Sequence, residues 1–356
     1  MDLKYMRRAL DLAALGRGSV SPNPMVGCVI VHGNTIIGEG WHQRYGGPHA
    51  EVNAIQDAEQ RQTVGRAALV LQECTVYVTL EPCAHFGKTP PCADLLVEKK
   101  VKRVVISNDD PNPLVAGKGI QKLRDAGIEV ITGVLAEEGR QLNARFFIYF
   151  EQKRPYIILK WAETADGFIA DENKHPLAIS CLQSRVLSHR WRAEEDAILV
   201  GTNTAQNDNP QLNARLWTGP NPVRVVLDRT LRLSHELHIF DNSQKTLLYN
   251  AFSSEEQGQT TLVRINFDED FLMHFLQDLY RRKIQSLLVE GGAILLQAFL
   301  NEELFDEIRI FKSPDGIGKG TASPSLPSGV NLESQEKIGE DWLTKYGKTA
   351  MPLLNA

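Results

Sequence analysis

The 356-residue chain has only five cysteines (Cys28, Cys74, Cys83, Cys92 and Cys181). They are too few and too scattered for a disulfide framework and read as buried thiols or metal ligands. No apolar run approaches the roughly 18 residues of a membrane-spanning helix, so no membrane partner is expected. Basic residues are not in excess: 39 Lys+Arg against 44 Asp+Glu give a net charge of -5. That balance weighs against a nucleic-acid partner, because little positive charge is available to displace counterions from a phosphate backbone. The G-x-G-x-x-G fingerprint is missing, which argues against a Rossmann domain. No segment repeats at a fixed period and no tract is of low complexity. The opening residues, Met1-Asp2-Leu3-Lys4-Tyr5-Met6-Arg7-Arg8, are patterned as an amphipathic helix without the apolar core of a signal peptide, and a cytoplasmic location is expected.

What is present is the balance of a soluble globular protein, with 42% hydrophobic and 23% charged residues. At about 150 residues per domain, this length predicts two or three domains. In the first half, helical spacing of Leu3, Met6, Leu10 and Ala13 is followed by strands at Val26–Val31 and Thr35–Gly38, then a helix from Ala50. A strand at Thr75–Leu80, a short helix after Pro82, a strand at Arg103–Ser107, a helix at Gly119–Ala126, a strand at Ile128–Thr132 and a helix from Ala136 to about Arg145 follow. This alternation predicts an α/β layered architecture. Glu151-Gln152-Lys153-Arg154-Pro155 breaks the pattern, so one domain is expected over residues 1–150 and a second over 151–356. The second half starts with a strand at Tyr156–Lys160. It continues with strands at Ala197–Val200, Val223–Asp228, Thr246–Tyr249, Ser286–Val289 and Glu307–Phe311, and with helices at Leu187–Ala193, Phe271–Arg282 and after Gly292.

The chemistry-bearing residues of the first half are His49-Ala50-Glu51, at the start of a predicted helix, and Glu81-Pro82-Cys83, after a predicted strand, with Cys92 beyond. One imidazole and two thiolates leave the fourth position of a tetrahedral zinc open, as catalysis requires. A cysteine that follows proline at a helix N-terminus also has its thiolate stabilised there. Glu51, two residues past the histidine, is suited to move a proton without ligating. The zinc deaminase signature is H-x-E followed by P-C-x-x-C; here eight residues separate Cys83 from Cys92. Cys74, which precedes a strand and follows no proline, reads as a small buried or edge thiol.

Taken together, Ser21-Pro22-Asn23-Pro24-Met25-Val26-Gly27, Gly40-Trp41-His42, Tyr45-Gly46, His49-Ala50-Glu51, Thr79 through Cys92 and Asp110-Pro111-Asn112-Pro113-Leu114-Val115-Ala116-Gly117 resemble the bifunctional riboflavin-biosynthesis deaminase–reductase family. The long cysteine gap, with its His85-Phe86-Gly87-Lys88-Thr89-Pro90-Pro91, is that family's form of the zinc motif. The resemblance implies an N-terminal cytidine-deaminase-like α/β/α sandwich and a C-terminal dihydrofolate-reductase-like α/β domain. It implies one zinc ion held by His49, Cys83 and Cys92, with Glu51 as the proton shuttle. Hydrolytic deamination of 2,5-diamino-6-ribosylamino-4(3H)-pyrimidinone 5′-phosphate is the expected first reaction. Asn23, His42, His85, Lys88, Asp110 and Asn112 fall where the family lines this substrate, and Lys88 suits the phosphate as a point charge. Gln56–Glu73 is longer than is usual in the family and reads as a surface excursion.

In the second half, Val289-Glu290-Gly291-Gly292 closes a strand and opens a helix; taken alone, this turn fits phosphate binding and tight strand–helix packing equally well. The resemblance assigns it to NADPH. By the same resemblance Ala162, Ala178, Thr204, Asp208, Arg229 and the run Gly292, Ala293, Ile294, Leu295, Leu296, Gln297 and Ala298 contact the cofactor. Pro176, Arg192, Leu212, Arg215 and Glu290 face the substrate, and Lys160 and Glu290 assist catalysis at the sugar. Two arginines suit a phosphate ester, which guanidinium binds bidentately. The expected second reaction is NADPH-dependent reduction of 5-amino-6-(5-phosphoribosylamino)uracil to its ribitylamino product. Where the family carries a serine and a tryptophan, this chain reads His175-Pro176-Leu177-Ala178-Ile179-Ser180. An alternative is therefore a zinc deaminase with an impaired reductase-like domain. The expected partners are small-molecule phosphoribosylaminopyrimidines and further copies of the chain in a homo-oligomer.

Overall fold

Along Gly27–His32 (β1), Cys28 and Ile30 join one apolar cluster while Val29 and Val31 join another, so the strand is covered on both faces. The same alternation recurs in Thr75–Leu80 (β3) and Arg103–Asn108 (β4). With Thr35–Trp41 (β2) and Glu129–Ile131 (β5) these form a five-stranded sheet in the order β2-β1-β3-β4-β5. Strand β1 runs antiparallel to both β2 and β3, whereas β3, β4 and β5 run parallel to one another. The computed structural model describes residues 1–61, 70–85, 90–173 and 177–348, and the chain divides into two compact units, Met1–Lys153 and Arg154–Ala356.

In the first unit Asp2–Ala14 (α1) covers one face of the sheet. Ala50–Arg61 (α2), Cys92–Glu98 (α3) and Lys118–Asp125 (α4) cover the other. Glycine permits the close approaches: a Cβ on Gly27 would lie 1.9 Å from the Ala9 carbonyl oxygen, and one on Gly40 would lie 2.4 Å from the Ala54 nitrogen. Helix α2 is thereby pressed against β2, which sets the place of His49 and Glu51 at its start. The short helix expected after Pro82 begins at Cys92, with Pro91 as its N-cap, and residues 81–85 ahead of it are irregular. The helix expected from Ala136 is two helices, Ala136–Leu142 (α5) and Ala144–Gln152 (α6). Of the expected excursion at 56–73, residues 56–61 belong to α2, and 62–69 lie outside the described residues.

The second unit carries a ten-stranded sheet. Its strands are Tyr156–Glu163 (β6), Ala197–Gly201 (β8), Val223–Leu227 (β9), Thr246–Asn250 (β10), Glu255–Gln257 (β11), Thr260–Arg264 (β12), Ser286–Val289 (β13), Glu307–Lys312 (β14), Val330–Ile338 (β16) and Asp341–Lys348 (β17). The order is β11-β12-β10-β9-β8-β13-β6-β14-β17-β16, parallel from β12 to β14 and antiparallel at both ends. A separate pair joins Phe168–Asp171 (β7) to Gly320–Ala322 (β15). Phe271–Arg281 (α9) and Ala293–Asn301 (α10) pack Phe275, Leu276, Leu279, Leu296 and Phe299 on one face of the large sheet. Leu182–Glu194 (α7) and Thr202–Asp208 (α8) contribute Trp191 and Ala205 to clusters on the other. The ends of β6, β8, β9 and β13 open onto a common cleft, as is usual at the carboxyl edge of parallel strands.

Candidate active sites

In the first unit, one donor atom each from His49, Cys83 and Cys92 lies within 4.8 Å of the others, the one cluster of this kind among the described residues. His49 Nδ1 is 3.6 Å from the Cys83 sulfur and 3.3 Å from the Cys92 sulfur. A tetrahedral zinc with its usual bond lengths needs such pairs about 3.5 Å apart, so the three donors fit the ion in number, type and spacing. Cys83 accepts the Cys92 backbone N–H at 3.3 Å. Hydrogen bonds from the Cys92 side chain and from His49 hold the Cys83 thiol down at about 4 against its burial, which is the state a metal ligand needs. The helix-terminal N–H expected at Cys83 from its own segment is thus supplied by Cys92.

Glu51 is buried at the first turn of α2, and burial followed by the negative charge of Cys83 raises its pKa. Burial thus favours the protonated form of this carboxyl, which suits a general acid–base. His42 stands in van der Waals range of His49, ring centroids 5.5 Å apart. The Pro48 carbonyl, 2.9 Å from Nδ1 of His42, can only accept, which puts the proton there. Nε2 then accepts from the Asn23 amide at 3.1 Å. The segment bearing Asn23 is clamped by the buried Asn143, whose side chain accepts from Met25 N and donates to Met25 O, each at 2.8 Å.

Glu81 anchors the ligand-bearing loop. Its buried carboxylate accepts backbone N–H groups of Gly117 and Gly119 at 2.9 Å, Ile120 at 3.2 Å and Asp110 at 3.3 Å. Three donors around the start of α4, and a fourth at Asp110, therefore converge on the residue two before Cys83. Asp110 in turn accepts the Asn112 N–H at 2.8 Å, and burial pushes its carboxyl up to about 7. A cavity of about 300 Å³ gathers Asn23, His42, His49, Glu51, Cys83, His85, Asp110 and Asn112, and is walled by Phe146 and Phe150 of α6. Lys88 lies outside the described residues.

The second unit's cleft encloses about 690 Å³. At one end the buried Glu290 accepts from Arg192 Nε at 3.0 Å and Nη2 at 2.8 Å, with Lys160 Nζ 3.8 Å away. Burial pushes the Glu290 carboxyl up, but Arg192 and then Lys160 outweigh it and hold it at about 2. Burial lowers the pKa of Lys160. At the other end Gly291-Gly292 leads into α10. A Cβ on Gly292 would sit 3.1 Å from Thr204 Oγ1, so the glycine keeps a cradle open over the first turn of the helix. Free N–H groups in that turn and a groove floor without a side chain fit a dinucleotide's phosphates.

Comparison with known proteins decides what these two sites belong to. Residues 1–108 match the family profile described as cytidine and deoxycytidylate deaminase zinc-binding region, and residues 155–344 match the RibD C-terminal domain. The riboflavin biosynthesis protein RibD of Aquifex aeolicus is 40% identical, with 96% of this chain and 97% of that protein covered. The chain belongs to the RibD family. The RibD of Escherichia coli is 36% identical over 89% of each chain. The solved Acinetobacter baumannii RibD superposes with a TM-score of 0.87 at 36% identity, covering 98% of this chain and 99% of that one. A deaminase/reductase from Thermotoga maritima gives the same TM-score and coverage at 38% identity. RibD proteins join a zinc-dependent deaminase domain to an NADPH-dependent reductase domain, and this chain carries both.

Within that RibD frame, Ala162, Ala178, Thr204, Asp208, Gly292, Ala293, Ile294, Leu295 and Ala298 line the reductase cleft with Lys160 and Glu290. Leu296 faces the core, fully buried, and the Gln297 amide is engaged with Asn301 and the Ser325 N–H. Arg229 turns away, its guanidinium 5.8 Å from the Phe267 ring centroid. Leu212 is buried in the core beside Val226, and Arg215 is exposed, donating to Asn213 Oδ1 at 2.9 Å. Pro176 lies outside the described residues. Cys74 is buried and donates to the Val70 carbonyl at 3.0 Å, apart from the donor cluster. Three features of the sites have no clear signal in the sequence. Phe146 and Phe150 come from a helix expected to stop at Arg145. Glu81 stands out only as a neighbour of Pro82 and Cys83. The buried His189, one turn before Arg192 on α7, is held down at about 4 by burial and by Arg192 and Arg215.

Proposed function

We propose that the first unit hydrolytically deaminates 2,5-diamino-6-ribosylamino-4(3H)-pyrimidinone 5′-phosphate and that the second reduces the resulting 5-amino-6-(5-phosphoribosylamino)uracil with NADPH. The observation that carries this reading is the His49–Cys83–Cys92 donor set with the protonatable Glu51 buried beside it. Zinc held by those three residues supplies a Lewis acid that activates water. Glu51 takes the proton and returns it to the departing ammonia. Asn23, oriented by its hydrogen bond to neutral His42, and the pair Asp110–Asn112 hold the polar edge of the pyrimidine, while Phe146 and Phe150 exclude water from that wall. His85 and Lys88 complete the substrate contacts.

In the second unit the first turn of α10, with Ala162, Ala178, Thr204 and Asp208, would hold NADPH, which when bound would supply the hydride. Arg192 fixes Glu290 through two hydrogen bonds, and Glu290 with Lys160 orients the sugar and stabilises charge at its reacting carbon. Arg215 and Pro176 bound the substrate side, and Leu212 backs it from the core beside Val226. The Lys160–Glu290–Arg192 network is complete in the cleft that Ala178 lines, so the unit is read as a working reductase. The chain works on small molecules and assembles as a homo-oligomer in the cytoplasm. The test is a coupled assay of the zinc-loaded protein on the diamino substrate with NADPH. Equal amounts of ammonia released and NADPH oxidised are expected. NADPH oxidation without ammonia, or no reaction, contradicts the reading.

A further inference from the structure

Residues 211–214 belong to no helix or strand, yet a side chain holds a backbone group of each of the four. Arg224 Nε donates to the Gln211 carbonyl at 3.0 Å, Gln244 Nε2 to the Leu212 carbonyl at 3.2 Å and Arg192 Nη1 to the Asn213 carbonyl at 3.2 Å. The Ala214 N–H donates to Asn221 Oδ1 at 2.9 Å. Gln244 also donates to the Pro222 carbonyl at 3.3 Å, and its own oxygen stays buried without a partner. That orientation of the amide is forced, because carbonyls only accept. The cost of the orphaned oxygen marks the two carbonyls as groups the fold must hold. Leu212, left-handed at φ of 54°, sinks its side chain into the core beside Val226, and the half-buried Asn213 follows it.

Asn213 is thereby placed between two arginines. Its carbonyl accepts from Arg192, and its side-chain Oδ1 accepts from Arg215 Nη1 at 2.9 Å. Its amide nitrogen donates to Gln211 Oε1 at 3.1 Å, which fixes the way the side chain faces. Arg192 also bonds Glu290 through Nε and Nη2, so one guanidinium joins Asn213 to the reducing centre. Arg215 has no carboxylate partner among the described residues. Burial and then the charges of Arg192 and Arg185 lower its pKa, and Arg185 lines the cleft, so cations crowd this end of it. A neutral oxygen satisfies an arginine's donor without cancelling its charge, whereas a carboxylate cancels it. The arrangement keeps a positive field of fixed direction, and such a field favours an anion.

We propose that Asn213 is a positioning residue of the reductase unit: it aims Arg192 and Arg215 at the phosphate of the substrate and, by bonding Arg215 through a neutral oxygen, leaves that charge for the phosphate. This rests on the reductase reading above. The experiment compares the full-length protein with its Asn213→Ala and Asn213→Asp variants. It measures kcat and KM for the deaminated intermediate with and without its 5′-phosphate, the Kd for NADPH and the unfolding midpoint. Asn213 is half-buried and outside the sheets and helices, so both variants are expected to keep the fold. Loss of one hydrogen bond to Arg215 predicts that Asn213→Ala raises the KM for the phosphorylated intermediate about 3- to 10-fold, with the Kd for NADPH unchanged. Asn213→Asp, nearly the same shape, pairs Arg215 with a carboxylate and raises that KM about 10- to 100-fold. A purely structural role predicts the opposite order, because a carboxylate is the stronger acceptor for guanidinium. For the intermediate without phosphate, all three proteins share one KM. An aspartate variant equal to wild type, equal rises in KM for both forms of the intermediate, or a matching loss of NADPH affinity overturns the proposal. If the wild-type protein does not reduce the phosphorylated intermediate, the reductase reading falls and this assignment with it.

Discussion

Replacing Glu81 by glutamine tests how the zinc ligand Cys83 is held. The carboxylate accepts four backbone N–H groups, two at 2.9 Å and two at 3.2 and 3.3 Å, and is shielded from water. Glutamine keeps one accepting oxygen and turns an NH₂ toward the donors served by the other. Each buried N–H left unpaired costs about 1–3 kcal/mol, so two lost partners predict about 2–6 kcal/mol. That is a large part of the roughly 5–15 kcal/mol by which a domain is typically stable. The loop carrying Pro82 and Cys83 loosens with it, and zinc affinity is expected to fall about 10- to 100-fold, as for other residues that orient metal ligands. The assays are urea unfolding of the zinc-loaded protein and chelator competition for zinc. A stability loss below about 1 kcal/mol together with unchanged zinc affinity would refute the clamp.

Two further outcomes follow from the same geometry. Gly119→Ala places a Cβ 2.0 Å from the Pro82 carbonyl oxygen and 3.2 Å from the Glu81 carboxylate, so it forces α4 off the loop; it lowers the unfolding midpoint and zinc affinity together, and a midpoint equal to wild type would count against this packing. Glu290 is held at about 2 in the folded chain against an ordinary 4.5, a depressed carboxyl. The difference stabilises the fold by about 3 kcal/mol, present above pH about 4.5 and lost as pH falls toward 2. Acid unfolding of the reductase unit therefore flattens in Glu290→Gln, which is also destabilised at neutral pH by about 3–5 kcal/mol because Lys160 and Arg192 are left as buried cations; identical acid profiles for the two proteins would contradict this.

The zinc donors are legible in the sequence because ligand chemistry restricts them to few residue types and because His49, Glu51, Cys83 and Cys92 fall at the ends of strongly patterned elements. What lies between them is not. Pro82 suits the first turn of a helix, but the helix starts only at Cys92, after Pro90 and Pro91, and Glu81 beside Pro82 is held through partners some 30 to 40 residues away in the chain. The break between α5 and α6 is set by Asn143, whose amide serves Met25, a contact spanning 118 residues that no local pattern reveals. Strands β16 and β17 give little sequence signal because β16 lies at the sheet edge, almost wholly exposed and polar, and lacks the apolar alternation that marks a half-buried strand. That Arg232 lines the cleft while Arg229 lies against Phe267 is likewise hidden in the sequence, because the turn between them includes the left-handed Leu231, which no local pattern announces.

The central claim is that two sites in one chain act in series, and it is tested most directly by NADPH oxidation in Glu51→Gln. Given the diamino substrate, this variant is predicted to oxidise NADPH about 10²- to 10⁴-fold more slowly than wild type, the usual contribution of a general acid–base. Given the already deaminated intermediate, it should oxidise NADPH at the wild-type rate. Equal slowing with both substrates, or slowing with neither, would contradict the account.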